Sequence, residues 1–437
     1  MHSRRSFLRQ GALAATATTV AGPAILRGQS PVHTVGIIGP GGMGSNHVRT
    51  LAKNPRVKIA WLCDVDRTRL AAAANTLADA GGGTAKTTGD LRHVLADAAV
   101  DAVWIATPDH WHAPATLLAL AAGKHVYVEK PCSHNVHEGR LMIDGARRSG
   151  KIVQVGTQSR STAHVRAAIE RLRSGAIGTI LAAKAWNSQL RSNIGHVPAS
   201  EPPDTFDYDT WLGPVPHRPY HENFHPGRWR WFRAFGAGDM GNDGVHDIDI
   251  AVWGLGVDTH PRRITGSGGK YFFDDDQEFP DTEYVSFEYD SGENKVGAKK
   301  QLIFEQRIWS PYHQEDAENG NAWYGTEGMM LLAKSGGWKI IGKGNKVIEE
   351  HPRGTPDLAA HHANFLDTLE GKSPEGAHAD IATHHFSSTL CHLGNMATLL
   401  GRTLHFDPAT ERIPDDTEAN ALLRRDYRDH WATPRQV

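Results

Sequence analysis

Several groups of residues in this chain have types and spacings that could do chemistry. The first is the turn Gly39-x-Gly41-x-x-Gly44, which follows the apolar run Val35 to Ile38 and opens a helix-like stretch from Met43 to Ala52. In a strand–turn–helix setting the first glycine permits the tight turn, the second lets a pyrophosphate approach the backbone, and the third lets helix and strand pack closely. The phosphates would sit at a helix N-terminus, among free N–H groups and the positive end of the dipole. Such turns are common, so the glycines alone decide little. Here Asp64 closes the next apolar stretch, Val57 to Leu62, twenty residues after Gly44. A carboxylate in that position can accept hydrogen bonds from an adenosine ribose. The pattern predicts a dinucleotide site on Gly39, Gly41, Gly42, Met43, Gly44 and Asp64.

A second group is Glu129-Lys130-Pro131, at the end of the apolar run His125 to Val128. Proline stops a strand, which leaves both charged side chains at its carboxyl end. A lysine there can donate a hydrogen bond to a substrate hydroxyl; taken alone it reads equally well as a surface ion pair. A third group spans Asn242 to Asp249. At helical spacing His246 shares a face with Asn242, four residues before it, and with Asp249, three after it. Histidine titrates near working pH and can take a proton, whereas an amide can orient a hydroxyl but cannot. The fourth group is the run Tyr220 to Trp231, rich in His, Arg, Asn and aromatic rings. That composition suits a carbohydrate pocket, a wet subunit interface or an ordered loop. Arg191, His225 and Arg228 are its candidate substrate contacts, with Asp243 beside Asn242.

The elements that must position these groups alternate. Helix candidates Asp66–Ala78, Asp90–Asp97, Pro114–Ala122 and Val136–Arg148 separate the apolar runs Ala102–Ala106, His125–Val128 and Ile152–Val155. Continuous apolar strands between amphipathic helices predict a doubly wound parallel sheet over residues 33–158, with its ligand at the strand carboxyl ends. From about Arg160 the texture changes. Alternating runs at Glu283–Tyr289 and Lys299–Ile308, shorter ones near Met329 and Trp338, and helices Pro356–Glu370 and Ile381–Leu400 predict a second, α+β domain with a mostly antiparallel sheet over 159–404. Residues 405–437 read as a polar tail.

A formal charge of −2 and scattered basic residues give no case for nucleic acid, and no apolar run approaches the ~20 residues that span a bilayer. Three dispersed cysteines, Cys63, Cys132 and Cys391, form neither a disulfide framework nor a zinc motif. The histidine pairs at 110/112, 361/362 and 384/385 lack dedicated metal spacing, so no metal is expected. Ser3-Arg4-Arg5-Ser6-Phe7-Leu8-Arg9 before the mild Ala/Thr-rich stretch Gly11–Leu26 reads as a twin-arginine export signal over 1–29, hence an exported or periplasmic protein served by that machinery. Free nicotinamide cofactor is scarce outside the cytoplasm, so a bound dinucleotide would have to stay in place.

Taken together, Gly39-x-Gly41-x-x-Gly44, Asp64, Thr107-Pro108-Asp109-x-x-His112, Gly123-Lys124-His125-Val126-Tyr127-Val128-Glu129-Lys130-Pro131 and Gly241 to Asp249 resemble the glucose–fructose oxidoreductase/inositol dehydrogenase (Gfo/Idh/MocA) family, in particular its exported members. Asp209-Thr210-Trp211-Leu212-Gly213-Pro214 and His362-x-Asn364-Phe365 agree with that family's second domain. The resemblance implies a Rossmann domain binding NAD, with NADP less favoured because Asp64 repels a 2′-phosphate, although Arg67 lies nearby. It implies cofactor contacts at Thr107, Pro108, His112, Glu129, Lys130 and Gln158, and catalysis by Lys130 and by His246 as proton acceptor, with Asn242 helping to orient the hydroxyl. The family's Asp-x-x-x-His pattern reads Asn242-x-x-x-His246 here, a departure that leaves two reactions open: net oxidation of a sugar or polyol, and a redox-neutral glycoside cleavage by oxidation and elimination. A sugar sensor with a weak site is a third reading. A homo-oligomer through the open sheet face is expected.

Overall fold

In the computed structural model, which describes residues 31–225, 227–290 and 295–434, strands and helices alternate through the first third of the chain. The stretch 1–29, read in the sequence as an export signal, lies outside the described residues. Strand β1 (His33–Ile38) runs through the glycine turn into α1 (Gly42–Ala52). Next come β2 (Val57–Cys63), α2 (Arg67–Asp79), β3 (Lys86–Thr88), α3 (Leu91–Ala96) and β4 (Ala102–Ile105). The series ends with α4 (His112–Ala121), β5 (His125–Val128), α5 (Val136–Ser149) and β6 (Val153–Val155).

These strands form one parallel sheet in the order β3-β2-β1-β4-β5-β6. The order reverses beside β1, which opens a crevice between its carboxyl end and that of β4. Both faces are covered, as the apolar runs require. Val48, Leu51 and Leu77 pack on one side with Trp104 and Tyr127, and Val94, Leu120 and Met142 on the other with Val103 and Val126. Two of the helix starts here carry side-chain caps. The Asp66 carboxylate accepts from the N–H groups of Thr68 and Arg69 and caps α2, and Asp90 caps α3 in the same way.

The second half begins with α6 (Ala163–Arg173), β7 (Ile180–Asn187) and the short α7 (Tyr208–Leu212). A π-helical turn over Met240–Gly244 enters α8 (Val245–Leu255). Then follow β8 (Arg263–Gly269), β9 (Thr282–Asp290), β10 (Lys299–Arg307), β11 (Asn319–Gly325), β12 (Met329–Ala333), β13 (Trp338–Ile341) and β14 (Val347–His351). Helices α9 (Leu358–Leu369) and α10 (Ile381–Leu400), strand β15 (Leu404–His405) and α11 (Thr417–Leu422) complete it. The sheet order is β14-β13-β12-β11-β7-β10-β9-β8-β15, antiparallel except where β7 meets β10. The expected pair of folds is present.

One face of this sheet buries Phe287, Phe304 and Trp323 against Ile248 of α8 and Leu390 of α10. The other leaves Tyr284 (41%), Ile303 (36%) and Tyr324 (42%) exposed, with no helix over them among the described residues. Helices α9 and α10 also reach the first sheet: Phe365 of α9 meets Trp104 edge-on at 5.2 Å. The polar stretch packs against the rest of the molecule over the described residues 405–434. Its charges have partners on the Rossmann half, where the Arg425 guanidinium pairs with Glu138 at 2.7 Å and donates to the His110 carbonyl.

Candidate active site

A cavity of about 440 Å³ lies at the carboxyl ends of the parallel strands, closed on its far side by the second half of the chain. Its floor is the glycine turn. Gly39 has φ +78°, and a Cβ there would meet the Ala106 backbone at 2.8 Å; a Cβ on Gly44 would lie 2.1 Å from the Gly39 carbonyl. Gly42 faces open space, and the N-terminus of α1 has no side-chain cap. Free N–H groups at a helix start beside empty volume are what a diphosphate needs. Asp64 lines the cavity at the end of β2, and one of its oxygens accepts from the Asp66 N–H at 3.0 Å. Burial lifts its carboxyl to about 6, against the opposing hydrogen bond from Asp66 and the charge of Arg69. These residues fit a dinucleotide.

Beyond β4 and β5 the cavity acquires its reactive groups. The Lys130–Pro131 peptide is cis, and the Lys130 ammonium donates to the Asn242 carbonyl at 2.6 Å. His246 is on the same wall; its Nδ1 is buried with no hydrogen-bond partner among the described residues. Burial, and then the positive charges of Lys334 and Lys130, hold its pKa well below the ordinary histidine value, so the ring is neutral and can accept a proton. Asp109 is also buried there, and burial lifts it to about 7 against the pull of Lys130 and Arg230. Burial opposes a charge on Glu129, but the hydrogen bond from His47 Nε2 at 3.0 Å, together with the positive charges of His47 and Lys130, outweighs it and lowers the pKa. Gln158 Nε2 approaches the same carboxylate at 3.5 Å. His112 faces the Pro131 carbonyl with Nδ1 (2.7 Å) and the Thr107 carbonyl with Nε2 (2.9 Å). Burial lowers its pKa against the pull of both carbonyls, and the ring lies between the two loops.

Residues 33–157 match the NAD-binding Rossmann fold of the Gfo/Idh/MocA oxidoreductase family, and residues 181–295 and 344–433 match its C-terminal alpha/beta domain. The chain belongs to this family. Inositol 2-dehydrogenase 2 of Saccharopolyspora erythraea is 30% identical over 265 residues, 59% of this chain and 63% of that protein. A glycosyl hydrolase family 109 protein of the same organism is 32% identical over 163 residues, 36% of this chain and 35% of that one. The chain spans about half the length of the curated relatives it matches. A levoglucosan dehydrogenase solved with NADH and levoglucosan shares the fold at a TM-score of 0.63 and 18% identity, covering 85% of this chain and 98% of that one.

Within this Gfo/Idh/MocA framework the structure gathers most of the residues singled out in the sequence. Gly39, Gly41, Gly42, Met43, Asp64, Thr107, Pro108, His112, Glu129, Lys130, Gln158, His225, Asn242 and His246 all line the cavity. Gly44 packs beneath it, against Gly39. Arg67 does not line it: its guanidinium turns away to the Asp204 carbonyl at 2.6 Å. Arg69, two residues on, lines it instead, beside Gly41. Arg228 is likewise displaced, bound to the Asn223 side chain at 2.6 Å, while Arg230 lines the cavity and donates to Asn242 Oδ1 at 3.2 Å. His225 sits at the Arg69 side, its Nε2 on the Asp66 carboxylate at 2.9 Å and its ring stacked on Phe206 at 4.1 Å.

Arg191 and Asp243 lie behind the wall. Arg191 pairs with Asp239 at 2.8 Å and with Asp243 at 2.7 Å; Lys334 approaches Asp243 at 3.6 Å. Asp249 is directed away from His246, into a buried pair with Arg160. Trp211 and Trp229, noted in the sequence only within longer runs, line the cavity, and so does Trp431, which sequence reasoning passed over. It also passed over the one group among the described residues with side chains close enough to share an ion, His260, His385 and Glu411. There the Arg140 guanidinium donates to both Glu411 oxygens.

Proposed function

We propose that the chain is an exported, NAD-dependent oxidoreductase that acts on a CH–OH group of a sugar, sugar derivative or polyol and keeps its cofactor bound. The observation that carries this reading is the meeting of Lys130, from the first half, and His246, from the second, on one wall of the cavity that the glycine turn floors. When bound, NAD supplies a hydride acceptor for the substrate carbon. Neutral His246 takes the hydroxyl proton. Lys130 donates a hydrogen bond to the same oxygen and stabilises charge as it develops there. Trp211 and Trp229 offer planes to C–H faces, and Arg230 offers donors to neighbouring hydroxyls. Asp64 favours NAD over NADP. Export is argued from the paired arginines Arg4 and Arg5, and a homo-oligomer from the uncovered face that carries Tyr284, Ile303 and Tyr324. Mass spectrometry of the native protein for NAD, followed by a panel of polyols and sugars read as NADH formation, tests it. A chain that carries NAD yet reduces none of it with any of them is not a net dehydrogenase.

A second reading is supported by Asn242 in the place of the family's aspartate and by the similarity to a glycosyl hydrolase family 109 protein. In it the oxidised sugar loses its aglycone by elimination and is then reduced again, so NAD is regenerated in place. Release of aglycone from aryl glycosides with no added NAD and no net NADH selects this reading.

A further inference from the structure

The adenosine end of the cavity has a wall that comes from far along the chain. Asp64 follows β2, and Gly89 and Leu91 follow β3, the outermost strand; all three line the cavity, and so does Trp431. With a ribose on Asp64, the base lies on the side of β3, away from Lys130 after β5. Trp431 stands there as a ready surface. The Arg92 guanidinium covers it at 4.4 Å and Trp111 flanks it at 5.8 Å, yet 37% of the residue remains exposed.

The segment that delivers this indole is pinned before any ligand arrives. Arg425 pairs with Glu138 at 2.7 Å, and the Tyr427 hydroxyl donates to the same carboxylate at 2.8 Å. Arg428 donates to the Gly213 carbonyl at 2.6 Å and to the Asp209 carbonyl at 2.7 Å. Ala432, just beyond, is 2% exposed and belongs to the core of the Rossmann half. A platform already ordered loses little freedom on binding.

We propose that Trp431 is a cofactor-binding residue: its indole stacks on the adenine, and the pinned segment from Arg425 to Ala432 closes the adenosine end so that the dinucleotide leaves slowly. This rests on the dinucleotide reading of the cavity and gives retention a physical cause. Base–aromatic stacking tolerates any base and loses affinity when the ring is removed.

The test uses the full chain, stripped of cofactor and titrated calorimetrically with NAD, ADP-ribose and nicotinamide mononucleotide, with dissociation of NAD followed after dilution. Trp431→Leu keeps apolar bulk without a ring face, and Trp431→Phe keeps a ring. The expected result is that Trp431→Leu weakens NAD and ADP-ribose and speeds NAD release by about tenfold. Nicotinamide mononucleotide binding stays unchanged, and Trp431→Phe retains most of the affinity. Equal ADP-ribose affinity and equal NAD release in wild type, Trp431→Leu and Trp431→Phe overturn the proposal. Weakening of nicotinamide mononucleotide to the same degree as ADP-ribose also overturns it, since that marks a general disturbance of the fold. A wild-type chain that binds neither NAD nor ADP-ribose overturns the dinucleotide reading itself, a result distinct from the other two.

Discussion

The Lys130 ammonium reaches the backbone carbonyl of Asn242 across 2.6 Å, so a strand end of the first half is tied to the π-helical turn of the second. One bond both aims the lysine and fixes the wall that carries His246. Replacement by methionine keeps the length of the side chain and removes the donor. Lys130→Met is expected to lower kcat by about 10²–10⁴-fold, the usual worth of a positioned proton-transfer or hydrogen-bonding group. Affinity for NAD, measured by calorimetry, is expected to change little, because the glycine turn and Asp64 lie elsewhere in the cavity. A matching loss of NAD affinity would assign Lys130 to cofactor binding and not to the reaction.

Asn242 is committed through both ends of its amide: Nδ2 donates to Asp239 at 3.1 Å and Oδ1 accepts from Arg230 at 3.2 Å. A carboxylate in its place faces Asp239 without a donor between them. Like charges so placed raise the pKa of one partner, and the protonated form then restores the lost hydrogen bond. Asn242→Asp is therefore expected to be less active than the parent at neutral pH and to recover part of the loss as the pH is lowered. Turnover profiles of the two proteins on one substrate check this. Higher activity at neutral pH in the variant would mean that Asn242 is a plain substitution for the family's aspartate with no compensating network.

Asp64 provides a pH test of cofactor binding. Burial holds its carboxyl at about 6, and a ribose that hydrogen-bonds to the charged form binds less well to the neutral one. Affinity for NAD is expected to be flat above neutrality and to fall by about tenfold at pH 5, one unit below that value. Asp64→Asn, which cannot titrate, is expected to bind weakly and with no such slope. Titration calorimetry across this range measures both.

What the sequence makes legible is local. The spacing of Gly39, Gly41, Gly44 and Asp64 encodes a turn and a strand end within one βαβ unit, and the structure places them together. Basic residues are harder. Arg67 and Arg69 share the first turn of α2, and only the packing of 204–205 against that turn decides which of them faces the cavity. The same holds for Arg228 and Arg230, where Asn223 captures the first. Strands β8 and β11 escape a pattern search because RITGSGG and NGNAWYG carry too few alternating apolar residues. Their pairing partners define them. Trp431 is invisible for a different reason: its neighbours Arg92 and Trp111 lie more than 300 residues earlier, and the tail's composition says only that it is polar.

The last prediction concerns the support beneath His246. Arg160 donates to both Asp249 oxygens at 2.8 Å, and the Ser387 hydroxyl donates to one of them at 2.6 Å, all in the interior. Three segments are joined at that carboxylate: α8, α10 and the turn after β6. Burial opposes its charge, but Arg160 outweighs that and holds the Asp249 carboxyl below its usual range. A carboxyl depressed by folding stabilises the protein above its unfolded pKa, and that stability is lost only as the pH falls through the folded value. At neutral pH it is fully present. Asp249→Asn leaves Arg160 buried without a counter-charge, which costs about 3–5 kcal/mol. The expected fall in Tm, by calorimetry, is about 5 °C. Removing both charges, Arg160→Met with Asp249→Leu, is expected to restore much of it, since a buried pair replaced by apolar groups of similar volume is often nearly neutral. If the double variant is as unstable as the single one, the pair holds α8 through geometry that apolar packing cannot replace.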